Sequence, residues 1–206
     1  MIRSLALTVA ALTLVASASA EPRNVNGFRR VAAENGIRVN VAVGPQFAID
    51  VTGRDARYVR TTVENGTLHI SRAPRRWFGI GASDFDGRVR ITMPSLEAIS
   101  AARGATVNAT GVHADSFAVS AAMGGVIDVS GACQELDASV AMGGVLSAEN
   151  LHCDTAAISA AMGGTAEVFA ARTYDASASM GGTINVAGAG TRGNVSAVMG
   201  GSVSQD

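Results

Sequence analysis

The histidines are the first residues in this sequence that could do chemistry. His113 lies close to Asp115 and Ser116, so the residue types of a hydrolytic triad occur together. A triad is defined by geometry in the folded protein and not by adjacency, so this cluster does not predict catalysis. His113 and His152 each lie ten residues before a Met-Gly-Gly tripeptide. Two steps of a strand stack would separate them by about 10 Å, too far to share a metal ion. We predict no catalytic residue, metal site or cofactor.

Methionine sulfur is a second source of chemistry. Met-Gly-Gly occurs five times, beginning at Met123, Met142, Met162, Met180 and Met199. Stacked at one corner of a repeat, these side chains would form an apolar seam that covers glycine-rich backbone. The alternative is that the thioethers are soft ligands for Cu(I), which would indicate a periplasmic metal-handling protein. Copper sites usually combine Met with His, and no His shares this repeat position, so we favour packing.

Cys133 and Cys153 are the only cysteines, and each lies nine residues before a repeat methionine. They therefore occupy one position of adjacent repeats. In a parallel stack their Cα atoms would lie about 4.8 Å apart, within the range of about 4.4–6.8 Å that a disulfide accepts. Such a bond persists in an oxidising compartment. We predict a Cys133–Cys153 disulfide, and the alternative is two buried thiols.

An arginine-rich aromatic segment interrupts the strand-like pattern between residues 72 and 87. It contains Arg75, Arg76, Trp77 and Phe78. Arg and Trp are frequent anchors of binding interfaces, and loops often carry function. Two interpretations stay open: this loop binds a ligand, or its aromatic side chains fold back and shield one end of the core.

The elements that position all these residues follow from the internal repeat. Successive Met-Gly-Gly tripeptides are 19, 20, 18 and 19 residues apart, and Arg103-Gly104-Ala105 is a degenerate earlier copy. Apolar and polar residues alternate after each tripeptide, as in a half-buried strand. A serine precedes each copy by three residues, at Ser100, Ser120, Ser139, Ser159, Ser177 and Ser196.

Each repeat thus predicts two short strands and two turns, the second turn lying near Gly111 and Gly131. Repeats of this length cannot bury their apolar faces alone and must stack. We predict an all-β protein, a right-handed parallel β-helix (a two-sheet solenoid) with 19–20 residues per coil. Residues 100–206 would form the Met-Gly-Gly repeats. Residues 24–99, strand-like but irregular, would form N-terminal coils of the same domain, which spans residues 21–206.

The first twenty residues have the pattern of a cleaved signal peptide. Arg3 precedes an apolar run, and Ala18-Ser19-Ala20 resembles a cleavage site. The run is shorter than the about 20 residues that cross a bilayer, and we predict no transmembrane segment in the mature chain. All sixteen basic residues are Arg, concentrated before residue 104, and the acids predominate after it. This asymmetry selects no partner, and we predict no nucleic-acid binding.

The order of motifs resembles a known family. Phe28 is followed by VENGTLHI at 63–70, RVRITMPSLEAI at 88–99, and ARGATV before the glycine-rich repeats. Over about residues 24–203 this is similar to the bacterial head GIN domain family, described as putative autotransporter adhesins. The resemblance implies a two-sheet right-handed parallel β-helix with Gly-rich turns and no recognised catalytic residues. Met-Gly-Gly replaces the family's usual Gly-Ser-Gly turn.

The functional expectation is an exported, non-enzymatic binding or structural protein, adhesin-like, in the periplasm or at the cell surface. Its ligand would be a glycan or an envelope protein. An enzyme acting on polysaccharide is the main alternative, and metal handling by the methionines is the second. The last repeat is incomplete after Met199, leaving a sheet edge. Such edges are usually covered or paired, so we expect a homo-oligomer or a polar cap.

Overall fold

The computed structural model describes residues 21–22, 26–73 and 85–206. Within these ranges nearly every element is a β-strand, and the only helical element is one 3-10 turn at Ala56–Tyr58. The strands stack as a parallel β-solenoid of about five turns, which confirms the predicted fold class.

The C-terminal half of the solenoid begins with four long strands that each follow most of one coil and ends with three shorter ones. These are β9 (Thr106–Ala122), β10 (Val126–Ala141), β11 (Val145–Ala161), β12 (Thr165–Ser179), β13 (Thr183–Ala187), β14 (Thr191–Val198) and β15 (Ser202–Gln205). Neighbouring coils pair in parallel, with Ile127 beside Leu146 and Ser139 beside Ser159. Because Ala122 pairs with Ala141 and Val126 with Val145 around the tripeptides, the repeat spacing equals one coil, as predicted.

The coils of β9, β10 and β11 bend at a place that the sequence did not indicate, whereas β12 keeps one inward phase. In β11 the buried positions are Leu146, Ala148, Leu151, Cys153, Ala156, Ile158 and Ala160. The alternation of inward and outward residues therefore shifts by one residue near 149–150 and again near 154–155. The first bend is the predicted second turn. The other carries no Gly or Pro signal, and the far end of the coil is consequently broader than predicted.

The N-terminal strands do not stack in chain order. They are β1 (Glu21–Pro22), β2 (Arg30–Glu34), β3 (Arg38–Val43), β4 (Ala48–Thr52), β5 (Val59–Glu64), β6 (Thr67–Arg72), β7 (Arg88–Met93) and β8 (Ala98–Ala102). Strand β3 lies between β7 and β9, and β2 lies between β6 and β8. Strands β4 and β7 pair antiparallel, as do β5 and β6 across the turn at Asn65-Gly66. The predicted irregular N-terminal coils are therefore a single coil, formed by β2 and β3. Its neighbours in the sheet are parallel strands, and β4 and β5 pair antiparallel with β7 and β6 beyond it.

One continuous core runs through the stack from Phe28 to Val186. Most of its members are Ala, Val, Ile and Leu, and the few large rings include Phe117 and Tyr174. Because the inward side chains are small, the walls of each coil can approach closely. The two outward surfaces and the corner between them are the parts of the solenoid that can contact other molecules.

Candidate binding surfaces

One outward surface of the solenoid is built largely from serine and alanine. All six predicted serines form one in-register column across the strands, from Ser100 to Ser196. On either side of this column are outward alanines, among them Ala118, Ala122, Ala157 and Ala161. We call this surface, formed by the outward residues of 98–102, 118–122, 137–141, 157–161, 175–179 and 194–198, the Ser face. Its hydroxyls repeat at the strand spacing of about 4.8 Å.

A shallow depression of about 520 Å³ marks the Ser face near its C-terminal end. Its polar lining comes from Asp137, Asp175 and Asn194 together with neighbouring serines. The Asp175 carboxylate accepts a hydrogen bond of 2.6 Å from the backbone N–H of Asn194. These three residues were not among the predicted site residues, although each lies five residues before a repeat methionine and so shares one repeat position.

The five repeat methionines line the corner at one edge of the Ser face, and we call them the Met corner. Each has a left-handed backbone, with φ between 48° and 52°, and the next glycine has φ between 71° and 78°. Four of the methionines are 43–50% exposed, and Met199 is 80% exposed. The predicted apolar seam therefore leaves about half of each thioether side chain accessible to solvent.

The backbone of the Met corner continues the hydrogen-bond ladder from coil to coil. The N–H of Gly124 donates to the carbonyl of Met142, and the N–H of Gly143 donates to that of Met162, both at 3.2 Å. The second glycine of each tripeptide has a different role. A Cβ on Gly164 would lie 2.7 Å from the Val140 carbonyl oxygen, so this position needs glycine for close approach.

Methionine is an unfavourable choice for this corner. A left-handed conformation costs most L-residues about 1–2 kcal/mol, and Asn and Gly are the usual exceptions. The coil formed by β2 and β3 turns at Asn35-Gly36, where the Gly36 N–H donates to the Arg103 carbonyl in the same ladder. Asn35, with φ of 63°, thus occupies the equivalent corner with the residue that the turn prefers. The fold itself does not require methionine there.

The two cysteines occupy one position of adjacent coils, and a disulfide joins them with a Cα–Cα distance of 4.5 Å. In the same column of the stack, Ala114 lies beside Cys133 on the coil before it, and Ala170 lies beside Cys153 on the coil after it. Both cysteines are buried. The bond would close a loop of one coil, and its formation in solution remains a prediction.

The histidine positions agree with the expected spacing but form no site. Ala132 pairs with both His113 and His152, so the two are two coils apart. The side chain of Gln134 donates 2.7 Å to Asp115, and His152 contacts the Phe169 ring edge-on. In the ranges that the structure describes, no three His, Cys, Asp or Glu residues are grouped to hold a metal ion.

Comparison with known proteins identifies the family. The sequence profile described as "Putative auto-transporter adhesin, head GIN domain" matches residues 27–190. The chain belongs to the head GIN domain family. This confirms the resemblance carried by the NGTL and VRITMPSL stretches. No curated protein matches the chain.

Solved structures that are similar to this head GIN domain include two named for adhesion. A "putative adhesin" from Bacteroides fragilis NCTC 9343 is 18% identical, with a TM-score of 0.69, over 93% of this chain and 98% of that one. A "putative adhesin" from Parabacteroides distasonis ATCC 8503 is 16% identical over 92% and 97% of the two chains, with a TM-score of 0.46. At 18% identity, the similarity to the Bacteroides structure shows a common fold and no more.

The predicted binding loop of the head GIN domain falls largely outside the described residues, which exclude 74–84 and therefore Arg75, Arg76, Trp77 and Phe78. The residues on either side of the excluded segment form its base. The Arg72 guanidinium lies 4.9 Å from the centre of the Phe85 ring, and Phe85 packs against the core. Asp86 lies 3.6 Å from the Arg54 guanidinium and 3.7 Å from that of Arg88. Across the described part of the chain, no helix has the length and apolarity needed to span a membrane.

Proposed function

We propose that this head GIN domain is an exported, non-enzymatic β-solenoid that acts in the cell envelope as an adhesin-like binding or structural protein. The observation that carries the proposal is the Ser face, an open surface with hydroxyls in register over six coils. A regular row of hydroxyl donors and acceptors suits a long ligand with repeating polar groups. We therefore propose a glycan as the ligand, with an envelope protein as the alternative outcome.

A non-catalytic role is supported by the shape of the surface and by the comparisons. Small-molecule and catalytic sites are usually concave pockets that bury most of their ligand. The depression beside Asp137 and Asp175 is shallow and open, and it lies on a flat sheet. The family and the Bacteroides structure are named for adhesion and not for an enzymatic activity. No observation favours the alternative of a polysaccharide-acting enzyme.

Export to the periplasm or the cell surface is also part of the proposal. It is supported by the signal-peptide pattern of residues 1–20 and by the adhesin description of the family. Self-association through β15 is proposed as well, because β15 is the last strand of the sheet. Sedimentation velocity over a wide concentration range tests it, and a strict monomer would refute it.

The binding proposal is tested with a glycan array and with pull-downs from envelope fractions, using residues 21–206. Ser159→Arg places a long charged side chain in the middle of the Ser face. The matched control is Ser147→Arg on the opposite surface of β11, where Asp128 and Glu167 are the neighbours in register. We expect Ser159→Arg to weaken binding to the selected glycans at least tenfold and Ser147→Arg to leave it unchanged.

Two results would overturn the proposal. Equal binding by Ser159→Arg and the unchanged protein would remove the Ser face as the binding surface. Time-dependent release of new reducing ends from any array-positive polysaccharide would show that the protein is an enzyme. Retention of an envelope protein in place of any glycan would assign the ligand to the alternative class.

A further inference from the structure

The Met corner combines three properties that turn formation and core packing do not explain together. The backbone disfavours methionine, and each methionine is at least 43% exposed. Of the two preceding corners, Asn35 carries the residue that the turn prefers, and Arg103, with φ of 53°, shows that methionine is not required. Methionine nevertheless occupies five consecutive corners, from Met123 to Met199. A local choice that disagrees with the fold is most often found at a functional position.

The spacing of the corner brings the sulfur atoms within reach of one another. Ladder hydrogen bonds of 3.2 Å link the tripeptides that begin at Met123, Met142, Met162 and Met180. Neighbouring methionines are therefore one strand apart, about 4.8 Å. A zinc–thiolate bond is about 2.3 Å long, and at a similar metal–sulfur length two thioethers on either side of one ion would be about 4.6 Å apart. The three rotatable bonds of methionine provide the remaining adjustment.

We propose that the Met corner binds a soft monovalent cation, Cu(I) or Ag(I), between the sulfur atoms of methionines on adjacent coils. Thioethers are soft, neutral ligands that select Cu(I) over hard cations such as Mg²⁺ and Ca²⁺, which prefer oxygen. Of the other sulfur atoms described, those of Cys133 and Cys153 are joined in the disulfide, and Met93 is buried. The proposal is independent of the ligand assigned to the Ser face.

The test uses the exported protein and two double variants that each remove two methionines. Met142→Leu/Met180→Leu leaves no two methionines on adjacent coils. Met123→Leu/Met199→Leu removes the same number of sulfur atoms but keeps Met142, Met162 and Met180 contiguous. Leucine keeps the apolar side chain and the same backbone preference, so folding and hydrophobicity are matched between the two variants.

Cu(I) affinity is measured under anaerobic conditions by competition with a chromogenic Cu(I) chelator, and Ag(I) binding by calorimetry. We expect the unchanged protein to compete, the 142/180 variant to bind at least tenfold more weakly, and the 123/199 variant to keep its affinity with fewer ions bound. Failure of the unchanged protein to compete would overturn the proposal. Equal affinities of the two variants would also overturn it, since adjacency would then be irrelevant.

The pH dependence provides an independent readout. Thioethers do not titrate, whereas imidazole is protonated below its ordinary pKa of about 6.5. We expect Ag(I) affinity at pH 4.5 to stay within threefold of that at pH 7, with circular dichroism confirming that the protein remains folded. A loss of binding between these pH values would assign the ion to histidine and refute the Met corner.

Discussion

Removal of the disulfide by Cys133→Ala/Cys153→Ala is the most quantitative prediction that the solenoid allows. Alanine already occupies the same column on both sides, at Ala114 and Ala170, so the substitutions introduce no foreign side chain. The Cα atoms that are linked lie 4.5 Å apart across one coil, and the cysteines are 20 residues apart in sequence. The perturbation therefore removes one cross-link between two coils that already pair in register.

The expected magnitude follows from loop closure. In the chain-entropy model, cross-linking a loop of about 20 residues stabilises a protein by about 3 kcal/mol. Loss of the two buried sulfur atoms adds about 1–2 kcal/mol, at roughly the value of one buried methylene each. For a protein of this size 1 kcal/mol corresponds to about 2–4 °C, so removal of the cross-link alone lowers the melting temperature by about 6–12 °C.

Three samples separate the cross-link from packing: the oxidised protein, the same protein after reduction, and the double alanine variant. Thermal unfolding is followed by far-ultraviolet circular dichroism. The reduced protein should melt about 6–12 °C below the oxidised one, and the alanine variant slightly lower still. Identical melting temperatures before and after reduction would refute the loop-closure reasoning. Two alkylated thiols per chain, in intact-mass analysis without reductant, would show that the bond does not form.

Four further substitutions test the corners and the end of the stack. Gly164→Ala should destabilise the protein by about 2–3 kcal/mol because its Cβ would meet the Val140 carbonyl oxygen, 2.7 Å away. Gly163→Ala, where space is open but φ is +74°, should cost only about 1 kcal/mol, and equal denaturation midpoints would contradict this distinction. Met162→Asn should stabilise the corner by about 0.5–1 kcal/mol, since Asn tolerates the left-handed backbone, and a lower melting temperature would argue against strain there. Tyr174→Phe should cost about 1 kcal/mol in urea unfolding because the buried hydroxyl donates to Gln205 Oε1 at 3.0 Å, and an unchanged urea midpoint would show that this end contributes nothing.

The repeat half of the fold could be predicted because one structural coil equals one sequence period. Glycine marks the corner, and alternation on either side of it fixes which residues point inward, as the burial of Ile127 and Leu146 shows. The bend near Gln134-Glu135 was not predictable in this way, because its residues carry no turn signal and only the change of inward phase reveals it. Which strands lie next to each other in the sheet was harder still to predict. Alternation in 38–43 identifies a strand but does not indicate that it lies between β7 and β9.

The sequence also located the candidate surfaces better than it explained them. The serine column was visible as a spacing, and the structure adds that the column faces outward beside alanines. The methionine column was visible too, but its interpretation depended on facts that no spacing contains: the sign of φ, the exposed fraction and the equivalence with Asn35. Counting the sequence period cannot reveal the equivalence with Asn35, because Asn35 is 68 residues before Arg103 in sequence although their two corners are adjacent in space.

These differences give the two surfaces unequal weight as functional sites. Serine on an outward strand position agrees with the fold, because a small polar side chain facing solvent is stable there whether or not it binds anything. The Ser face is therefore a surface that permits binding, and only a ligand can show that it is used. Methionine with a left-handed backbone works against the fold at every coil from Met123 to Met199. The same strain is accepted at Arg103 (φ 53°), the corner between those of Asn35 and Met123, but only methionine recurs, at five successive coils, and this recurrence points to a role for the thioether. A chemical property of sulfur supplies that role more directly than packing does, since the side chains are half exposed.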